Sequence, residues 1–163
     1  MAGDIFKLIR GIKSLILFLF LIAFVCGCSD DEDNDPEELT GRKIVYPLTS
    51  GSTYDLEGEI QFLEKNDGSL RVIITMTPTE LAVHHPAHLH YGPYATGAEM
   101  AAMLMPVDGT TGKSTTELSH LADGSIFRFD DLLKFNGHLK IHGDEGANKD
   151  LILAFAQLGI SSN

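Results

Sequence analysis

The stretch LEGEIQFLEKNDGSLRVIITM, residues 56–76, contains two segments in which apolar and polar side chains alternate. From Leu56 to Phe62, and again from Leu70 to Met76, every second residue is apolar or glycine. A period of two places these residues on one face of a β-strand. The sequence Asn-Asp-Gly at 66–68 is typical of hairpin turns. The stretch therefore predicts a β-hairpin with one buried face.

The period of two recurs along the rest of the chain, in short segments separated by glycine, proline, aspartate and asparagine. Short helical turns are expected at Asp130–Lys134 and at Gly97–Met103. Many short strands joined by turns favour an all-β fold, specifically an antiparallel Greek-key β-sandwich of the superoxide dismutase-like or immunoglobulin-like kind with one or two short helical turns. The further predicted strands are Arg42–Leu48, His88–Tyr91, Met103–Val107, Thr115–Leu118, Ser125–Phe129, His138–Ile141 and Leu151–Gln157.

Residues 1–27 have the three-part pattern of a secretory signal peptide. Lys7, Arg10 and Lys13 form a basic region, and Leu15–Val25 is an unbroken apolar run followed by small residues. This run is too short to span a bilayer comfortably, because a transmembrane helix needs about 20 apolar residues. We therefore expect a cleaved signal and not a membrane-spanning anchor.

The end of the apolar run, Val25-Cys26-Gly27-Cys28, resembles the lipobox of bacterial lipoproteins. The resemblance implies that the chain is cleaved before Cys28 and that this cysteine is acylated. Cys26 is a competing position, but the bulky Phe24 and Val25 before it suit the signal peptidase less well. A secreted protein with one free thiol is the simpler alternative.

Residues 28–40 are dominated by aspartate and glutamate and contain few apolar side chains, so we expect an extended, solvated tether. Such an acidic run directly after the lipidated cysteine resembles the surface-export signal of Bacteroidota lipoproteins. It implies attachment to the outer membrane of a bacterial cell envelope, facing outward. The folded domain is then expected at 41–163.

The composition argues against nucleic-acid binding and against sites built from cysteine. The 163 residues include 23 acidic and 12 basic side chains, for a formal net charge of -11. Nucleic acid is not an expected partner, because its binding needs a surplus of clustered cations. Two cysteines close together cannot form a disulfide framework or a cysteine-rich zinc site.

The histidines are the candidate site. His88 and His90 are two residues apart in a predicted strand, so their imidazoles share one face and form half of a copper or zinc site, while Leu89 faces the core. His142 is the preferred third ligand. His138 and His142 lie about 13 Å apart along a straight strand, so both cannot bind one ion.

Five motifs in this order resemble a CHRD domain, a β-sandwich domain first named in chordin and related to copper/zinc superoxide dismutase. The resemblance covers residues 45–160 and implies the fold, with a His-x-His strand and a later strand ending in histidine at His88, His90 and His142. It does not imply an established activity. The motifs are His88–Pro93, Leu104–Gly109, Phe129–Leu133, Gly137–His142 and Ala154–Gly159.

Two functions from different classes follow. The preferred one is a non-enzymatic lipoprotein module, held at the membrane by its N-terminal lipid, that binds an unidentified protein or glycan partner. The alternative is a copper- or zinc-binding envelope protein. Dismutase activity is not expected, because the zinc-binding loop, the bridging histidine, the disulfide and the active-site arginine of those enzymes are missing. No catalytic residue is assigned.

Met103 and Met105 are interpreted as core side chains and not as soft copper ligands.

Overall fold

The computed structural model describes residues 38–79, 83–96 and 99–162. These residues form an all-β domain of antiparallel strands, as the alternating sequence pattern predicts. One short helix, α1 (Phe129–Lys134), and a terminal 3-10 turn (Ile160–Ser162) complete it. The strands are β1 (Leu39–Pro47), β2 (Thr49–Ser50), β3 (Gly58–Lys65), β4 (Leu70–Met76), β5 (His84–Tyr91), β6 (Met100–Asp108), β7 (Lys113–Leu118), β8 (Asn136–His142) and β9 (Ile152–Gly159).

All nine strands belong to one hydrogen-bonded sheet with the order β1-β3-β4-β7-β6-β5-β8-β9-β2. After the β3–β4 hairpin the chain crosses to β5 and returns through β6 and β7, so that β7 pairs with β4. The two outermost strands, β1 and β2, are separated in sequence by Leu48 alone. The all-β fold is confirmed, while the finer prediction of a Greek-key sandwich of two sheets stays a prediction.

Most of the buried apolar side chains form one core cluster that draws on both ends of this strand order. Ile60 and Phe62 of β3 and Ala156 and Leu158 of β9 all belong to it. The hydroxyl of Tyr46 in β1 accepts a hydrogen bond of 3.1 Å from a backbone amide at the end of β9. The sheet therefore curls around one core, which leaves its outer face available for a site.

The predicted hairpin forms, with Phe62 of β3 opposite Val72 of β4. The predicted strand Ser125–Phe129 is wrong: only an isolated bridge at Ile126 forms there. Phe129 instead begins α1, where the Asp131 carboxylate accepts a hydrogen bond of 3.0 Å from the Arg128 amide and caps the helix.

The helical turn predicted at Gly97–Met103 is wrong from Met100 onward, because Met100–Asp108 is strand β6. The reason is a register irregularity. Leu89 lies opposite Ala102 and His90 opposite Met100, which leaves Ala101 as an extra residue in β6. The bulge gives Met100 and Met103 a spacing of three on the exposed side, and this spacing imitates a helix.

Met103 and Met105 are not core residues, contrary to the sequence interpretation. Their side chains are 67% and 58% exposed. Along β6 the buried positions are Ala101, Ala102, Leu104 and Val107, so the two methionines lie on the outer face of the sheet. Period-two alternation identifies two faces but does not by itself say which one is buried when both carry apolar residues.

The folded domain includes residues that the sequence places in the acidic tether. Strand β1 begins at Leu39, and Glu38 pairs with Lys65 and, at 2.8 Å, with Arg71. The hydrogen bonds from Lys65 and from Arg71 hold the pKa of the Glu38 carboxyl below its usual value. The predicted signal peptide, the predicted lipidation site at Cys28 and the rest of the predicted tether lie outside the described residues. Within those residues, no helix is both long and apolar enough to cross a bilayer.

Candidate metal centre

The candidate site lies on the outer face of strands β5 and β8. In β5, Ala87 and Leu89 are fully buried and point into the core. The alternation of the strand then sends His88 and His90 to the outer face, as the sequence predicts. Core burial of Leu89 therefore fixes which way both imidazoles point.

Three imidazole rings converge there. The rings of His88 and His90 are 6.0 Å apart between centroids, and those of His88 and His142 are 5.2 Å apart. Taking one ring nitrogen from each histidine, the three atoms lie within 4.8 Å of one another. Three nitrogens bound tetrahedrally at about 2.0–2.1 Å from zinc would be separated by about 3.4 Å. Small ring rotations would therefore bring the three nitrogens to coordination distance.

His142 is held in a defined orientation by the loop that follows β8. Its Nδ1 lies 2.7 Å from the Lys149 carbonyl oxygen, and since a carbonyl can only accept, Nδ1 carries the proton. The lone pair of a neutral His142 is therefore on Nε2. That atom is buried and has no hydrogen-bond partner within the described residues. Metal-binding histidines commonly show this arrangement, with one nitrogen held by a carbonyl and the other directed at the ion.

The loop that carries Lys149 is itself ordered by Asp144. Its Oδ1 accepts hydrogen bonds from the amides of Gly146 at 2.7 Å and Asn148 at 2.9 Å. These bonds lower the pKa of the Asp144 carboxyl, the one from the Asn148 amide contributing most. Asp144 therefore orders the loop and thereby positions the carbonyl that orients His142.

His138 is the histidine that the cluster excludes. It lies opposite His90 across the β5–β8 pair, and the two rings stack at 5.2 Å with an angle of 12° between their planes. Its Nδ1 bonds to the Gly92 carbonyl at 2.7 Å, and the Tyr94 ring packs edge-on against it at 5.7 Å. His138 is fully buried, and its ring packs against the ring of His90 and beneath the segment that contains Gly92 and Tyr94.

His85 shows what a histidine with a purely structural role looks like in this domain. Its Nδ1 bonds to the Gly143 carbonyl at 2.5 Å, and its Nε2 lies 2.9 Å from the Thr79 hydroxyl. Nδ1 therefore donates to the carbonyl and the Nε2 lone pair faces the Thr79 hydroxyl, so neither nitrogen of His85 is directed at an ion. His142 differs because one of its nitrogens has no such partner.

The surroundings of His88 lower its pKa and so favour the neutral imidazole. Burial is the largest cause that lowers its pKa from the usual 6.5, and the neighbouring His142 and His90 lower it further. An imidazole must be unprotonated to bind a metal ion. The cluster therefore favours the protonation state that coordination requires.

Two cavities adjoin the cluster, and His88 and Glu145 line both of them. The first, of about 280 Å³, is also lined by His142. The second, of about 300 Å³, is also lined by Met103 and Met105. From the sequence, these methionines are assigned to the core, because their proximity to His88 arises from the β5–β6 register.

No protein-family model matches the chain, and neither the curated proteins nor the solved structures include a significant match. The resemblance to a CHRD domain therefore remains an expectation based on the five motifs.

Proposed function

We propose that this chain is a lipid-anchored envelope protein that binds one copper or zinc ion through His88, His90 and His142. The observation that carries the proposal is the convergence of three imidazole nitrogens within 4.8 Å. Nitrogen ligands of this kind suit both ions. The orientation of His142, whose Nδ1 donates to a carbonyl, and the lowered pKa of His88 also support it.

The first test measures the metal content of the full chain purified in detergent. After loading with copper(II) or zinc(II) and dialysis, mass spectrometry should find about one ion per chain at pH 7.5. The bound ion should be released as the pH falls below about 6, because protonated imidazoles do not ligate metals. Trace metal at pH 7.5 after loading with either ion would rule out the proposed site.

The location in the envelope is proposed from the sequence around Cys28 and from the acidic residues that follow it. Acylation can be tested by growing cells that produce the chain with labelled palmitate. The wild-type chain should carry the label and remain with the outer membrane, whereas Cys28→Ser should lose both the label and the membrane association. A Cys26→Ser variant is the matched control and should keep both. Retention of the label by Cys28→Ser would contradict this assignment.

An interaction module without metal is the second candidate function. It is supported by the exposed apolar side chains of Met103 and Met105 on the outer face of the sheet. Exposed apolar patches of soluble domains often contact partners. A chain that retains no metal but has a protein or glycan partner would favour this candidate.

A further inference from the structure

The methionines of β6 lie beside the histidine cluster on the same face of the sheet. Met103 is the residue directly opposite His88 in the antiparallel β5–β6 pair. Directly opposed residues point to the same face, with Cβ atoms about 4.5–5.5 Å apart. Met103 therefore extends from the sheet next to His88 and on the same side as its imidazole.

The cavity on this side is lined by both imidazole and thioether side chains. Its volume is about 300 Å³, and His88, Met103 and Met105 all line it. Methionine is unbranched and has several rotatable bonds, so its sulfur can adjust to a position beside the imidazole. The cavity therefore brings a thioether within reach of a ring that belongs to the three-histidine cluster.

The side chain of Met103 is exposed and not committed to the core. With 67% of its surface exposed, its side chain gains little from burial, and Met105 is similarly placed at 58%. Exposing apolar area costs about 25 cal/mol per Å² relative to burying it. Both thioethers are therefore accessible from the outer face of the sheet.

We propose that Met103 supplies a thioether ligand to the ion held by His88, His90 and His142, and that this ligand makes the site selective for copper(I) over zinc(II). Soft thioethers select copper(I), whereas zinc in proteins is bound by imidazole, thiolate and carboxylate. Met105 lies two residues further along β6 and lines the same cavity. This inference rests on the proposed metal-binding function and adds the identity of the preferred ion.

The test compares Met103→Leu with the wild-type chain. Leucine keeps the apolar volume but removes the sulfur. The full chain in detergent is titrated with copper(I) against a chromogenic chelator under reducing, oxygen-free conditions, and separately with zinc(II). Met103→Leu should weaken copper(I) binding at least about tenfold and change zinc(II) binding less than about twofold. X-ray absorption of the copper(I) form should show a sulfur ligand that the variant lacks.

Met100→Leu is the matched control. Met100 is on the same strand and opposite His90, but it lines a different cavity together with Tyr91 and Asp123. It should leave the affinity for both ions unchanged. Circular dichroism checks that all three chains are folded.

The outcomes separate the two proposals. Suppose that the wild-type chain binds one ion, that Met103→Leu binds copper(I) equally well, and that X-ray absorption shows the same ligands in both. The thioether assignment is then wrong and the histidine site stands. If the wild-type chain binds neither ion, both proposals fail. The exposed surface that contains Met103 and Met105 should then be tested as a docking surface. A selective loss of copper(I) affinity supports both.

Discussion

Replacing His88 and His90 together by alanine is expected to abolish stoichiometric metal binding while the domain remains folded. The double substitution removes two of the three converging nitrogens. Loss of a residue that only hydrogen-bonds to a metal ligand already commonly costs about 10–100-fold in metal affinity. We therefore expect the affinity for copper or zinc to fall at least about 100-fold. The measurement is metal content after loading and dialysis, with competition titration for the affinity.

His84→Ala/His120→Ala is the matched control for this experiment. Both histidines are exposed and lie outside the cluster, so the control removes two imidazoles without touching the proposed site. It should retain about one ion per chain. His90 is largely buried, so its loss has a packing cost. His88→Ala/His142→Ala, which removes two less buried rings, provides a second test if the first variant unfolds.

Equal metal content in the double variant and the wild-type chain would contradict the site. A double variant that loses both its fold and its metal, while His88→Ala/His142→Ala stays folded and keeps its metal, would also contradict it. In that case the rings would act as packing groups, as His85 does through the hydrogen bonds at both of its nitrogens.

The sequence predicts half of the candidate site well. The His-Leu-His pattern requires only that β5 be a strand and that Leu89 be buried, and both hold. A period of two then sends the two imidazoles outward without further information. The preference for His142 rests on its position in a second strand, and in the structure a ring nitrogen of His142 lies within 4.8 Å of ring nitrogens of both His88 and His90.

The remainder of the site depends on contacts between residues distant in sequence. The carbonyl that orients His142 belongs to Lys149, in a loop whose conformation is ordered by Asp144. The position of Met103 opposite His88 depends on the register of β5 and β6, which includes bulges that no periodic pattern reveals. Register and loop geometry are set by packing across the whole sheet, so sequence periodicity alone could not supply them.

Sequence periodicity is limited in the same way when it is used to predict the fold. The hairpin of β3 and β4 is local and is predicted correctly, because a turn sequence and two alternating strands indicate it. The pairing of β7 with β4 joins segments separated by β5 and β6, and no local feature encodes it. The strand prediction at Ser125–Phe129 is wrong for a similar reason, since Phe127 and Phe129 are buried in the core without pairing as a strand.

Phe62→Ala is expected to cost about 3–5 kcal/mol of unfolding free energy. Phe62 is fully buried in β3, between Ile44 of β1 and Val72 of β4 in the strand register. Its ring meets the Tyr46 ring edge-on, with centroids 6.2 Å apart. Truncation leaves a cavity and removes this aromatic contact. Since domains of this size are stable by about 5–15 kcal/mol, the variant should be close to unfolding.

Chemical denaturation followed by circular dichroism measures this loss, with Tyr54→Ala as the matched aromatic control. Tyr54 is 55% exposed, so its truncation should change the unfolding free energy by less than about 0.5 kcal/mol. Strand β3 is separated from β5 by three strands in the sheet order, so Phe62→Ala molecules that remain folded should still bind one ion per chain. A loss below about 1 kcal/mol would mean that Phe62 does not anchor the core, because truncating a buried aromatic ring ordinarily costs several times more. A folded variant without metal would mean that the histidine site depends on packing far from β5 and β8.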